Sequence, residues 1–404
     1  MTQSRQPMVG GSVQPGWEAV RDAFAQGQAT DPGAAQLAVH HQGRLVVDLW
    51  STGTSPTRRP FGPESIGVLM SVTKGIVSVC THLLSERGVL DLDAPVARYW
   101  PEYASAGKAG TTVADLLAHR AGLPAFVDHA EGVEVAGLLD RDSLVRGLAA
   151  MPPVWEPGSA YLYHALTYGH LIGEVVRRVT GMSIGAFFDQ EVARPLGLDL
   201  WIGLPLEEEH RFVPQFAVEP APTAEQIAAA IAGFGLVPDS PLALGLRAAA
   251  AELAAVIDVL GTRAGRASEI PAAGGIGNAR SPSRLYAALI GRVDGMRVLS
   301  PLTVERARAP RTDRLRAPAP LDRLHGLGNS RFGLGFELPR PGEPLLGEGS
   351  FGHAGAGGRL GIAHPESGLA VGYVCTAMSW EPAAGPDPRW VPWTKAVQEA
   401  AGRN

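Results

Sequence analysis

Met70-Ser71-Val72-Thr73-Lys74-Gly75 is the stretch on which the reading of this 404-residue chain turns. Ser71 and Lys74 are one helical turn apart, so on a helix they share a face and the amine reaches the hydroxyl. The flanks are apolar: Ile66, Val68, Leu69 and Met70 come before, and Ile76, Val77, Val79, Cys80, Leu83 and Leu84 come after. Lysine is also scarce, because of 35 basic residues only Lys74, Lys108 and Lys395 are not arginine. An ammonium among such neighbours is costly unless it is paired or gives up its proton. A neutral amine beside a serine hydroxyl can activate that serine as a nucleophile. Ser-x-x-Lys is short and occurs in many helices whose lysine simply reaches solvent; the apolar flanks separate this occurrence from those.

Working outward, the turn-rich sequence around Gly88 stops the Ser71 helix. Before it, Gly16 to Gln26 reads as an amphipathic helix. Gln36–His40 and Leu45–Trp50 read as a β-hairpin turning at Gln42-Gly43. From Val96 to Asn278 the periodicity is mostly helical. Thr112 with Asp115 forms a capping-box pattern, Asp140 opens a helix through Leu148, and His164 to Thr180 reads as a helix closed by Gly181. Arg247 to Leu260 is an alanine-rich helix, and Ser281-Pro282 opens another through Ile290. Strands return with Phe351–His353, Arg359–Ala363 and Leu369–Thr376, and Val391 to Ala401 is a closing helix. Strands at both ends with helices between predict one sheet made by the two termini. The expected division is an α/β domain from 1–95 and 280–404, an inserted helical domain from 96–279, and an active site between them.

The composition narrows the function. Hydrophobic residues make up 45% and charged residues 19%, enough for a large core, and the net charge of −5 gives no footprint for nucleic acid. Met1 to Trp17 lacks the apolar core of a signal peptide, and no run of about 20 apolar residues suits a membrane span. The expectation is a cytoplasmic protein without a nucleic-acid or membrane partner. Cys80 and Cys375, both in apolar segments, are expected to be buried thiols.

Two further segments carry candidate chemistry: Pro157-Gly158-Ser159-Ala160-Tyr161-Leu162-Tyr163-His164-Ala165 and Gly352-His353-Ala354-Gly355-Ala356-Gly357-Gly358. With Ser71–Lys74 they resemble, in order and spacing, the three signature segments of the serine β-lactamase and penicillin-binding-protein superfamily. The likeness is greatest to class C β-lactamases and the β-lactamase-like family VIII carboxylesterases. Leu116-Leu117-Ala118-His119-Arg120-Ala121-Gly122-Leu123 also resembles a segment of that superfamily. The resemblance implies an α/β (α+β) β-lactamase/transpeptidase-like fold, an antiparallel sheet flanked by helices with an inserted helical domain. It implies Ser71 as nucleophile, Lys74 and Tyr163 as general base and acid, the N–H groups of Ser71 and Ala356 as oxyanion hole, and His353 and Gly355 as substrate-binding residues. It implies no metal and no organic cofactor.

The chain departs from the superfamily at Ala165, where asparagine is usual, and at His353-Ala354, where lysine and a hydroxyl residue are usual. Those departures favour an ester or thioester over a β-lactam. The expected function is therefore a serine carboxylesterase acting through an acyl-Ser71 intermediate on a small-molecule ester. Acyl transfer to an amine or alcohol is the alternative, with Ala309–Leu334 as a flap that holds the acceptor. β-Lactamase or D-amino peptidase activity and a non-catalytic binding role are further readings.

Some residues read as structure instead. Gly181-Met182-Ser183-Ile184-Gly185 fits Gly-x-Ser-x-Gly, but a helix precedes it where the nucleophile elbow needs a strand, so Ser183 reads as a helix cap. His119 reads as structural, and His40-His41 as a hairpin edge without metal-ligand spacing. The glycines from Gly352 to Gly358 do not end as a phosphate loop does.

Overall fold

The computed structural model describes residues 7–55, 59–131, 136–220, 222–323, 330–340, 345–379 and 386–403. Thirteen strands are found among them: β1 Val9–Val13, β2 Ala35–His41, β3 Arg44–Ser51, β4 Gly67–Val68, β5 Leu200–Ile202, β6 Phe216–Ala217, β7 Gly275–Gly277, β8 Arg331–Phe332, β9 Glu337–Leu338, β10 Phe351–Gly355, β11 Arg359–His364, β12 Leu369–Cys375 and β13 Ala377–Met378. Eight form the main sheet, in the order β1-β3-β2-β12-β11-β10-β9-β8, with every neighbouring pair antiparallel. The pairing of β2 with β12, Ala35 opposite Cys375 through His41 opposite Leu369, joins the two ends of the chain as the alternating strand patterns require. The β2–β3 hairpin turns on Gln42 and Gly43, both at positive φ, as a tight two-residue turn demands.

Both faces of this sheet are covered, so its central strands carry apolar residues on both sides. Val371 and Tyr373 of β12 pack with Phe24 of helix Glu18–Gln28, with Trp393 and Val397 of helix Val391–Ala401, and with Trp17 and Trp390, the residues that precede these two helices. Ala370 and Val374 of the same strand face a second core with Val72 and Ile76 of helix Val72–Glu86 and Leu285 and Leu289 of helix Arg280–Ile290. That helix approaches closely because β12 offers Gly372 there: a Cβ at this position would lie 2.1 Å from the Ala279 carbonyl oxygen. A small antiparallel sheet, β4-β7-β5, leads directly into Ser71, and β6 pairs with β13.

The helix expected from Ser71 runs Val72–Glu86, with Gly88 at positive φ beyond its end. The capping box at Thr112 and Asp115 is formed in both directions. The helix expected from His164 starts only at Thr167 and ends on left-handed Gly181. Residues before it are held sideways: the Leu162 N–H donates to the His119 carbonyl (3.2 Å) and the His164 N–H to His119 Nδ1 (3.0 Å). The alanine-rich helix begins earlier, at Pro241, capped by Ser240. Helix Arg280–Ile290 is not capped by Ser281; Asn278 Oδ1 accepts from both the N–H (3.1 Å) and the hydroxyl (2.9 Å) of that serine. His40-His41 is no edge, since β2 lies inside the sheet and His40 is buried with Nδ1 2.7 Å from Ser283 Oγ. Cys80 and Cys375 are buried and unpaired. Among the described residues no helix is long and apolar enough to cross a membrane.

Candidate active site

Ser71 is placed by backbone bonds on both of its sides. The Leu69 N–H donates to the Gly275 carbonyl (2.8 Å), extending the β4–β7 pairing toward the nucleophile. Thr73 Oγ1 donates back to the Met70 carbonyl (2.6 Å) and accepts from the Gly275 N–H (2.9 Å). Between them Met70 takes a left-handed conformation (φ 50°), uncommon for a residue with a side chain, and the chain turns sharply from strand into helix. Ser71 is half-buried and stands at the helix N-terminus, where the dipole favours negative charge.

The three predicted catalytic side chains meet. Lys74 Nζ donates to Ser71 Oγ at 3.1 Å, and the Tyr163 hydroxyl donates to the same oxygen at 2.8 Å. The amine also donates to the Ala272 carbonyl (3.0 Å) and lies 4.8 Å from the centre of the Tyr163 ring. Lys74 is fully buried, and burial pulls its amine well below the ordinary lysine range, an effect that the Glu337 carboxylate partly opposes. Burial pushes the Tyr163 phenol up, with the Ser71 hydrogen bond opposing. A lysine inclined to be neutral and a tyrosine inclined to keep its proton form a couple that can pass a proton in either direction.

This cluster rests on a second layer of polar ties. Ser78 Oγ donates to the Lys74 carbonyl (2.7 Å), sits 2.6 Å from the Tyr168 hydroxyl and reaches the Gly335 carbonyl (2.8 Å). Tyr163 stacks on Phe332, with centroids 6.0 Å apart and planes at 12°, and packs against His119 at 4.9 Å. His119, with φ 59°, brackets Tyr163 through its bonds to Leu162 and His164, so it acts as a support for the phenol, in keeping with its structural reading. Burial keeps His119 neutral and holds His164 down at about 4.

The third segment forms β10 and its turn. Burial, aided by Lys74, lowers the His353 ring to about 3, so it is neutral. Its Nδ1 is 2.6 Å from the Ala354 carbonyl, and its buried Nε2 has no protein partner among the described residues. The ring lies 5.9 Å from that of Tyr163. Gly355 is required by packing, because a Cβ there would be 2.4 Å from the Leu69 carbonyl oxygen. Ala356 packs in the same apolar cluster as Met70. Among the described residues neither the Ser71 nor the Ala356 N–H donates to a backbone or side-chain acceptor.

Arg359 joins these two donors' surroundings, and nothing in the sequence marked it. Fully buried, it donates from Nε to the Val68 carbonyl (3.2 Å), from Nη1 to the Ala356 carbonyl (2.9 Å) and from Nη2 to Gln215 Oε1 (3.0 Å). Ser183 caps helix Ile184–Phe188 as expected, and its hydroxyl donates to the Glu269 carboxylate, which also accepts from the Gly185 N–H. Of the expected flap Ala309–Leu334, residues 324–329 lie outside the described residues, and Phe332 is the part stacked on Tyr163.

The fold agrees with comparison to known proteins. Residues 20–391 match the Beta-lactamase family. Esterase/beta-lactamase LipL of Mycobacterium tuberculosis is 33% identical over 381 residues, covering 90% of this chain and 82% of that one. A crystal structure of a family VIII carboxylesterase superposes with TM-score 0.79 at 34% identity, covering 97% of this chain and all of the other. EstA from Arthrobacter nitroguajacolicus Rue61a gives 0.80 at 30% identity, covering 97% and 98%. The chain belongs to the Beta-lactamase family and is an enzyme of its serine hydrolase type.

Proposed function

We propose that the chain hydrolyses carboxylic esters of small molecules through an acyl-enzyme on Ser71. The observation that carries this reading is the convergence of Lys74 Nζ and the Tyr163 hydroxyl on one half-buried serine oxygen. Neutral Lys74 takes the Ser71 proton as Oγ attacks the ester carbonyl. The N–H groups of Ser71 and Ala356 receive the developing oxyanion. The Tyr163–Lys74 couple returns the proton to the departing alcohol, then draws one from the water that cleaves the acyl-enzyme. His353 and Gly355 line the substrate side, and the cleft lies between the α/β portion (1–95 and 280–404) and the helical insertion (96–279). LipL and the carboxylesterase structures support an ester as substrate. Ala165, His353 and Ala354 weigh against a carboxylate-bearing β-lactam, since none supplies a cation or an amide to hold it.

A fluorophosphonate probe tests this directly. Labelling is expected at Ser71, with p-nitrophenyl ester turnover, and both are expected to vanish in Ser71→Ala. Labelling at Ser183, or cephalosporin turnover that exceeds ester turnover, would overturn the assignment.

A further inference from the structure

Within electrostatic reach of Lys74 and Tyr163 stands a carboxylate, Glu337, that carries no proton in the proposed steps and takes no part in the oxyanion hole. β9 pairs with β10 at Glu337 opposite Gly352, which sets the Glu337 side chain against His353 and Ala354. Oε2 accepts from the Ala354 N–H at 3.1 Å and lies 3.8 Å from His353 Nδ1. That ring nitrogen is taken up by the Ala354 carbonyl, and the ring is neutral, so His353 does not cancel the charge. The Glu337 side chain keeps 31% of its surface accessible. Burial pushes the Glu337 carboxyl up, and the Ala354 N–H and two cations, Arg340 and Lys74, oppose this and favour its ionised form. Lys74 is held toward neutrality and engaged with Ser71 and Ala272. Arg340 also acts on Tyr161, against Asp313, which is itself paired with Arg331. The remaining side chains packed around Tyr163 are His119, His353 and Phe332, all uncharged.

Resting on the esterase reading above, we propose that Glu337 sets the charge selectivity of the substrate site: it favours esters whose acyl or alcohol part is neutral or cationic and disfavours those with a second carboxylate near the scissile carbonyl. In a partly buried cleft a like charge a few ångströms away is strongly disfavoured and an opposite charge favoured. Here this carboxylate faces the ligand with no lysine in the third segment to turn its sign.

The experiment compares kcat/KM for the p-nitrophenyl esters of pentanoate, of glutarate with one free carboxylate, and of γ-butyrobetaine, at about pH 8 so that the free substrate carboxylate is ionised. In the wild-type enzyme the betaine ester is expected to exceed the glutarate ester by about tenfold or more, with pentanoate between them. In Glu337→Gln that ratio is expected to collapse to within about threefold. The proposal fails if the wild-type enzyme takes the glutarate ester as well as the betaine ester, which would make Arg340 the dominant charge. It also fails if the ratio survives in Glu337→Gln, or if all three esters decline together at an unchanged ratio, which would place Glu337 in the proton chemistry. Turnover of none of the three by the wild-type enzyme would instead sink the esterase reading and this proposal with it. Should Glu337→Gln not fold, the wild-type order alone decides.

Discussion

Lys74 and His353 are both buried beside Tyr163, yet they are held in opposite ways. The Lys74 amine has two protein partners, Ser71 Oγ and the Ala272 carbonyl, and its own carbonyl is tied down by Ser78. His353 uses Nδ1 on the carbonyl of its chain neighbour, and its Nε2 meets no protein atom that would bond to it among the described residues. Glu337, next to it, is held by one N–H and keeps part of its surface open. The Ser71 cluster is therefore held by the protein's own hydrogen bonds, whereas the β9–β10 region leaves polar atoms that a ligand could satisfy. On the proposed function, the reaction type belongs to the first region and the choice of substrate to the second.

The comparison is broken most severely at the nucleophile. Ser71→Ala should remove ester turnover by about 10⁴-fold or more, measured as burst amplitude and steady-state rate. Lys74→Ala and Tyr163→Phe should each lower kcat by about 10²-fold or more, the scale of a lost general base or acid; full turnover in either would refute the proton-transfer role. Arg359→Leu strands the Val68 and Ala356 carbonyls and loosens the spacing between the two oxyanion donors. It should lower kcat by about tenfold while changing KM less, with partial recovery in Arg359→Lys; a fall in KM effects alone would count against a role in the oxyanion hole. The gentlest test is the acid limb of the pH–rate profile. Activity needs neutral Lys74, so it rises with pH through the depressed lysine pKa. Glu337 raises that pKa. Its removal in Glu337→Gln should therefore move the limb to lower pH, and a shift to higher pH would contradict the sign.

The two regions also differed in how readily the sequence disclosed them. Ser71 and Lys74 stood out because lysine is rare and this one lies among aliphatic neighbours, an anomaly that propensity alone never explains. Tyr163 was reached only through resemblance; its segment reads as the start of a helix, and the lateral bonds to His119 that keep it extended come from residues far away in sequence. Glu337 sits on a strand of two residues, where a charged side chain looks like an ordinary solvent-facing position until pairing sets it beside His353. Arg359 is one arginine among many, and nothing local says that it is fully enclosed. The five central strands β3, β2, β12, β11 and β10 were legible because alternating and continuous apolar runs mark them; β1, β8 and β9 were not expected, the last two being only two residues long. The helix starts shifted where caps such as Asn278 lie outside the expected pattern.

The position of β12 at the middle of the sheet, between β2 and β11, has a consequence for biosynthesis. Residues 35–41 must wait for residues 369–375 before their central hydrogen-bonding partner exists. Contacts so distant along the chain close slowly. A nascent polypeptide leaving the ribosome thus carries its serine for most of translation without the framework that arms it. A stop codon placed before Leu369 should release an inert product rather than a weakened enzyme.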